Sequence, residues 1–448
     1  MRDIVLMIIT FVCAGKALVD PVFGVLAFIC YGLLGPQGLT WFFAREFHHS
    51  LLIGACTVVG FLTYKGAKQL PMFRETIAIM VLWLIFALST LFSIEQDFAF
   101  SKLMLIAKIF LMVFLSMAIL KTRDHLHMLL RAMALSLGFY AIKGTIFFLK
   151  TSGDGMVEGP PGTFLTANNT IGAALAMNVP LLFFLIRMEK NVWMRRLIKV
   201  MMIASYPAVL GTYSRGAWVA LAAVTALLVM KSRHKVRIVV IGTMLVVLCS
   251  PMIPLFMSER LTQRVDSLQN VTEENSAIQR FGTWEFCARV GLANPLVGVG
   301  FDYYSIQMYE EYYPEFAKQW EMHKKGYAWS CHSMWFTVLG EHGVFAFVLW
   351  IGLFASCFLS VMSIRRHGQR DSEMSWIIDW ADMIKISLIG FAIGGTFLDL
   401  AYFDLYYMLI GAMLIIKQVI KERNYAQLNS VTAHTKGFAQ YQLGVKPI

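Results

Sequence analysis

Apolar runs of about 15 to 25 residues follow one another along almost the whole chain, separated by short polar links. They lack alternation of period two, which predicts helices rather than the strands of an outer-membrane barrel. In order they are Ile4–Val19, Val22–Leu34, Leu51–Tyr64, Thr76–Phe92, Lys102–Leu120, Met128–Leu149, Ile171–Ile186, Ile198–Gly211, Ala217–Met230, Ile238–Phe256, Met334–Ile364, Ile384–Leu398 and Tyr402–Ile416. Lys16 and Asp20-Pro21 interrupt the first two, which read as two short helices or one broken one. The pattern therefore predicts an all-α polytopic bundle of about 12 or 13 spans.

Its main interruption is one long polar interval, Leu255–Ser333. The chain divides accordingly into an N-terminal bundle over 1–254, a large loop region over 255–331, C-terminal helices over 332–417 and a polar tail over 418–448. Two lesser interruptions stand out. Gly35–Ser50 mixes Trp41, Phe42, Phe43 and Phe47 with Arg45, His48 and His49, as membrane-interface segments do. Thr151–Asn169 is rich in Gly and Pro and cannot be helical throughout.

Composition agrees with a membrane reading. The 448 residues are 58% hydrophobic and 15% charged, more apolar surface than a water-soluble protein of this size can hide. A net charge of +11 would suggest a nucleic-acid partner in a soluble protein. Here the basic residues cluster in short links, so membrane topology explains them and no nucleic acid is expected. Arg187–Lys199, Lys231–Arg237 and Arg365–Arg370 are basic and should face the cytoplasm. The long interval carries seven Lys/Arg against ten Asp/Glu, which fits the other side. Alternating the spans puts Gly153–Asn169, Ser214-Arg215, the long interval and Asp399–Tyr402 together outside, which in a bacterial inner-membrane protein is the periplasm. No small-residue cleavage site precedes Asp20-Pro21, so the first run reads as a retained helix.

Cys13, Cys30, Cys56, Cys249 and Cys357 lie in apolar runs and read as small core residues. Only Cys287 and Cys331 fall in the polar interval, and no Cys/His metal spacing occurs. His48-His49 is a metal candidate without acidic or cysteine partners, so no metal and no cofactor are expected.

The remaining chemistry gathers on the outer side. Arg215, in TYSRGAW at a helix start, suits anion capture, because guanidinium matches phosphate and the helix N-terminus adds positive charge. A snorkelling interfacial arginine is the competing reading. In RFGTWEFCAR, Arg280 and Arg289 point to opposite helix faces. Arg289 has Glu285 four residues before it, the order of a surface ion pair, and is the weaker site candidate. Arg280 shares its face with Trp284, Cys287 and Gly291.

NPLVGVGFDYY is a turn followed by glycines and aromatics, not a nucleotide fingerprint. Tyr303 and Tyr304 could stack on a sugar or belong to an interface belt. His332, at the start of the next span, is the candidate general base for a hydroxyl. His342 and Glu341 read as deeper, hydrogen-bonded helix packers. Asp399 and Asp404 flank AYF, where they could orient an acceptor or a base.

SRGAW, the block from Arg280 to NPLVGVG, and HSMWFTVLGEHGVFAFVLW resemble the O-antigen ligase/polymerase superfamily of bacterial membrane glycosyltransferases. The opening MRDIVLMI and the LTWFFA stretch look like its exosortase-associated O-glycosylation ligases. The resemblance spans nearly the whole chain. It implies a GT-C-type helical fold that moves a glycan from undecaprenyl pyrophosphate to an acceptor hydroxyl, on lipid A-core or another acceptor, in the periplasm. By motif the pyrophosphate-binding arginines map onto Arg215 and Arg280, and the catalytic histidine onto His332. Ser333 departs from the common pattern, in which Asn often follows the histidine, and this bears on the acceptor class.

Polysaccharide polymerisation and transfer to protein Ser/Thr share this chemistry. A polysaccharide exporter is the alternative of a different class. It would be expected to show repeat symmetry and ionisable residues near mid-membrane.

Overall fold

The computed structural model describes residues 1–66, 68–232 and 275–442. The span expected at Ile238–Phe256, most of the basic link before it and the first part of the polar interval lie outside the described residues. Among those described, all regular structure is helical. Nine helices precede the gap: α1 (Arg2–Val19), α2 (Pro21–Leu34), α3 (His49–Thr63), α4 (Arg74–Leu91), α5 (Gln96–Ile119), α6 (Arg123–Lys150), α7 (Asn168–Met188), α8 (Val192–Leu210) and α9 (Arg215–Lys231). After it come α10 (Asn275–Ala293), three short helices α11–α13 (Ile306–Tyr312, Pro314–Gln319, Met322–Lys325), α14 (Met334–Arg370), α15 (Trp376–Gly395) and α16 (Asp404–Gln442).

The chain is a polytopic helical membrane protein. Five described helices (α4, α5, α6, α7 and α14) are each long and apolar enough to cross a membrane, and the apolar α2 and α3 are shorter. The N-terminal pair is two helices: Asp20 leaves the helical conformation, accepts from Phe23 N at 3.2 Å, and Pro21 opens α2.

α7 forms the centre, packed on α6, α8, α9 and α15. Every residue from Ile171 to Leu182 is buried. Its small residues make this possible: a Cβ on Gly172 would stand 2.8 Å from Ala217 Cβ of α9. Pro180 disturbs the helical hydrogen bonds one turn back, and the Ser387 hydroxyl of α15 donates to the Met177 carbonyl there at 2.9 Å.

Up-and-down connection leaves two ends of opposite character. At one end Arg131 pairs with Glu189, Arg187 with Asp379, and Lys231 and Arg365 with Asp382. Residues beyond the expected end of the last span belong to the same helix. Lys417 reaches the buried Glu75 at 2.8 Å and Arg423 reaches Asp371 at 2.8 Å, so α16 runs on past Ile416. The other end gathers the segments grouped by the sequence pattern. The 151–169 segment lies over the α8–α9 turn, with Val157 N donating to Gly211 O at 2.8 Å and Asn168 to Thr212 O at 2.7 Å. Phe164 stacks on Phe403 at 5.5 Å.

The polar interval is not an open loop in its described part. Phe286, Tyr303, Met308, Tyr309, Phe316 and Met322 bury one another in a small core of their own, with Phe286 stacked on Tyr309 at 3.6 Å. The span expected from Met334 is present but carries a break near its start. α14 breaks at Gly343, whose φ of 78° and ψ of −177° only glycine adopts readily. The break frees backbone groups that NPLVGVG satisfies: Gly300 N donates to Glu341 O at 2.9 Å, and Val344 N to Pro295 O at 2.9 Å.

Candidate active site

His332 sits in the short link before α14, with φ of 51°. A non-glycine residue in this left-handed region costs about 1–2 kcal/mol, so the surroundings must hold it. They do so from two sides. Cys331 is disulfide-bonded to Cys287 of α10, and Ser330 Oγ donates to Asp399 Oδ2 at 2.7 Å. Asp399 lies between α15 and α16 and takes a second hydrogen bond from Thr337 Oγ1, also at 2.7 Å.

The imidazole Nδ1 faces this pair, 3.6 Å from Asp399 Oδ2 and 3.4 Å from Ser330 Oγ. Ser330 has spent its one hydrogen on Asp399, so both oxygens facing Nδ1 act as acceptors. A proton on Nδ1 meets acceptors there, so this environment favours the tautomer that leaves the Nε2 lone pair available. The His332 and Asp399 side chains are 36% and 33% exposed, open enough to meet a substrate. Burial holds the imidazole below its ordinary value; Asp399 pulls it back up, and Arg280 pushes it further down. A neutral His332 at pH 7 follows.

Arg280 thus stands within electrostatic reach of His332. Its face of α10 packs on the first part of α14: Trp284 stacks on Phe336 at 5.5 Å, and a Cβ on Gly291 would stand 2.4 Å from Leu339 O. Arg215 opens α9, capped by Ser214 Oγ accepting from Ala217 N at 3.3 Å. Gly216 beside it lies against Phe397, with room for a Cβ no closer than 3.4 Å, and Phe397 lies 6.0 Å from the Trp284 ring. One aromatic corner therefore brings the α9 start, the Arg280 helix and the strand of chain leading to Asp399 together.

Other candidates are placed elsewhere. Arg289 is taken up on the surface by Glu285 at 2.7 Å and Glu315 at 2.8 Å, above the Tyr313 ring. Tyr303 is buried between Phe286 and Tyr304, so its ring is core rather than a sugar platform. The reason is the aromatic core of the interval, which draws the tyrosine inward. Tyr304 turns its hydroxyl to Glu341 Oε1 at 3.4 Å, and Asp302 N donates to the same oxygen at 3.1 Å.

Glu341 is hydrogen-bonded as expected, also by Tyr402 at 2.5 Å, but His342 is not. Its ring nitrogens make no hydrogen bond among the described residues, Nε2 lying 3.9 Å from Glu341 Oε2, and the ring packs on Phe86 at 4.2 Å and Phe301 at 4.4 Å. Asp404 caps its own helix through Leu405 N at 3.0 Å. Both nitrogens of His49 are engaged, by Thr10 Oγ1 and Ala44 O at 2.7 Å each, so it is structural. Sequence reasoning missed Ser330, Thr337 and the cysteine pair. Only the isolation of Cys287 and Cys331 in the polar interval pointed to the last.

Comparison with known families ties two segments to described groups. Residues 200–351, which include Arg215, Arg280 and His332, match the family described as O-antigen ligase. Residues 1–190 match a family of unknown function, DUF5935. No curated protein matches the chain.

Proposed function

We propose that this chain, which its match over residues 200–351 places in the O-antigen ligase-like superfamily, transfers a glycan from undecaprenyl pyrophosphate to an acceptor hydroxyl at the periplasmic face of the inner membrane. The observation that carries the reading is the His332–Asp399–Ser330 arrangement, which presents an unprotonated imidazole nitrogen beside a guanidinium. Arg280 and Arg215 hold the pyrophosphate. His332 Nε2 takes the acceptor proton as the hydroxyl oxygen bonds to the anomeric carbon, and the carbon–oxygen bond to phosphate breaks with its electron pair leaving on the pyrophosphate. Attack opposite the leaving group inverts the anomeric centre. Permanently charged guanidiniums aimed at the phosphates stabilise the departing charge, so the reaction runs without a divalent metal.

Lipid A-core is the leading acceptor. A growing glycan or a protein Ser/Thr would use the same base and the same cations. The test is reconstitution of the purified chain with labelled undecaprenyl-pyrophosphate glycan and each acceptor in turn, in excess EDTA, with the product linkage read by NMR. Inverted product from one acceptor is expected. No transfer to any acceptor would overturn the reading, and activity that returns only with Mg²⁺ or Mn²⁺ would overturn its metal-free form.

A further inference from the structure

The Cys287–Cys331 bond joins the middle of α10 to the residue before His332, closing a sequence separation of 44. Arg280 stands seven residues earlier on the same helix. Both cysteines are fully buried, and Thr283 Oγ1 of α10 reaches the Cys331 carbonyl at 3.2 Å. The helix side of this link is held independently, because Trp284 stacks on Phe336 and Gly291 lies against Leu339. The link side is tied by single contacts: Thr283 to the Cys331 carbonyl, Ser330 to Asp399 at 2.7 Å, the Tyr304 hydroxyl to Cys331 Sγ at 3.6 Å, and Trp329, whose carbonyl accepts from Tyr309 at 2.9 Å and whose ring packs on Phe316 and Trp320. The disulfide is the covalent one among them. His332 meanwhile holds a left-handed backbone that the chain leaves unless constrained.

We propose that Cys287 and Cys331 are positioning residues: their bond fixes the backbone at His332 against the helix carrying Arg280, so that base and cation keep one separation. Naming His332 a base rests on the transfer reaction proposed above. The effect of the bond on His332 itself does not. Forming it converts two thiols to a disulfide and releases two protons and two electrons. A disulfide-bearing oxidant accepts them and is reduced to its dithiol. Such chemistry belongs to an oxidising compartment, which is where this end of the molecule would have to face.

A double-mutant cycle on the full-length chain in lipid nanodiscs tests the proposal. A bond needs both sulfurs, so Cys287→Ser, Cys331→Ser and the double variant should lose the same amount, whereas separate packing roles would add. Turnover at saturating donor should fall by about 10²-fold with donor KM near that of the parent, as expected when a reacting group is misplaced by about 1 Å. The rate at which diethyl pyrocarbonate modifies His332, read by peptide mass spectrometry, should rise several-fold in all three variants. The corresponding alanine variants guard against a buried serine that unfolds the region. If the parent transfers to no acceptor, the proposed function fails while the His332 modification rates still decide this inference. Additive losses, or equal His332 modification in parent and double variant, would overturn it.

Discussion

At His332 three influences compete, and their signs can be separated by substitution. A base must be neutral, so transfer falls as pH drops through the folded-state value, which lies below the ordinary 6.5 because burial dominates. Asp399→Asn removes the influence that favours the imidazolium and should move the acid limb of residual activity lower. Arg280→Gln removes the repelling charge and should move it higher. Limbs that move together in pH–rate profiles would show that His332 is not the titrating group. His332→Ala should abolish transfer, a loss of about 10²–10⁴ in rate, while donor binding persists.

The arginines divide differently. Arg215→Ala and Arg280→Ala should each weaken donor binding by about 1.5–3 kcal/mol, as expected for a hydrogen bond to a charged group. Arg289→Ala should change it little, since that guanidinium already serves Glu285 and Glu315. Equal affinities by titration calorimetry in all three variants would refute this division. The surface role of Arg289 was legible because an i, i+4 partner is a local signal. The inward turn of Tyr303 was not, because it depends on Phe286 and Tyr309, which approach it only once the interval has folded.

At the scale of elements, hydropathy locates helices well but says little about breaks within them. The run from Met334 reads as unbroken because Glu341-His342-Gly343 is a short interruption in a long apolar stretch, and an isolated glycine does not by itself end a helix. The break becomes intelligible only with its partner, the NPLVGVG segment, some forty residues earlier. That pairing can be tested at Gly298, whose φ is 66° and where a Cβ would stand 2.3 Å from Glu341 O. Gly298→Ala should destabilise the chain by at least about 1–2 kcal/mol through backbone strain alone, and further through the clash. Gly352→Ala, with nothing within 4 Å, should be neutral or mildly stabilising in the same detergent unfolding assay. Equal midpoints for the two variants would mean that the segment does not seat on the break.

For the whole molecule, the alternation of spans grouped the right segments at one end, because antiparallel neighbours leave little choice of where a link can lie. Which end faces out is a separate matter, and two independent features point the same way. The end opposite His332 carries Arg123, Arg131, Arg187, Lys190, Arg195, Arg365 and Arg370 in short links, which agrees with the proposed cytoplasmic side. The His332 end carries the disulfide, which persists where thiols are oxidised. A cysteine placed at the exposed Lys324 should therefore react with an impermeant thiol reagent added outside intact spheroplasts, and one at the exposed Ser372 should react only after lysis. Both are read against the unsubstituted chain, whose Cys13, Cys30, Cys56, Cys249 and Cys357 set the background. The donor must reach the His332 end, and the reagent reports on that same surface. Labelling of Ser372→Cys alone from outside would thus remove periplasmic transfer and the oxidising requirement together, leaving the His332–Asp399 pair on the wrong side of the membrane for the reaction proposed.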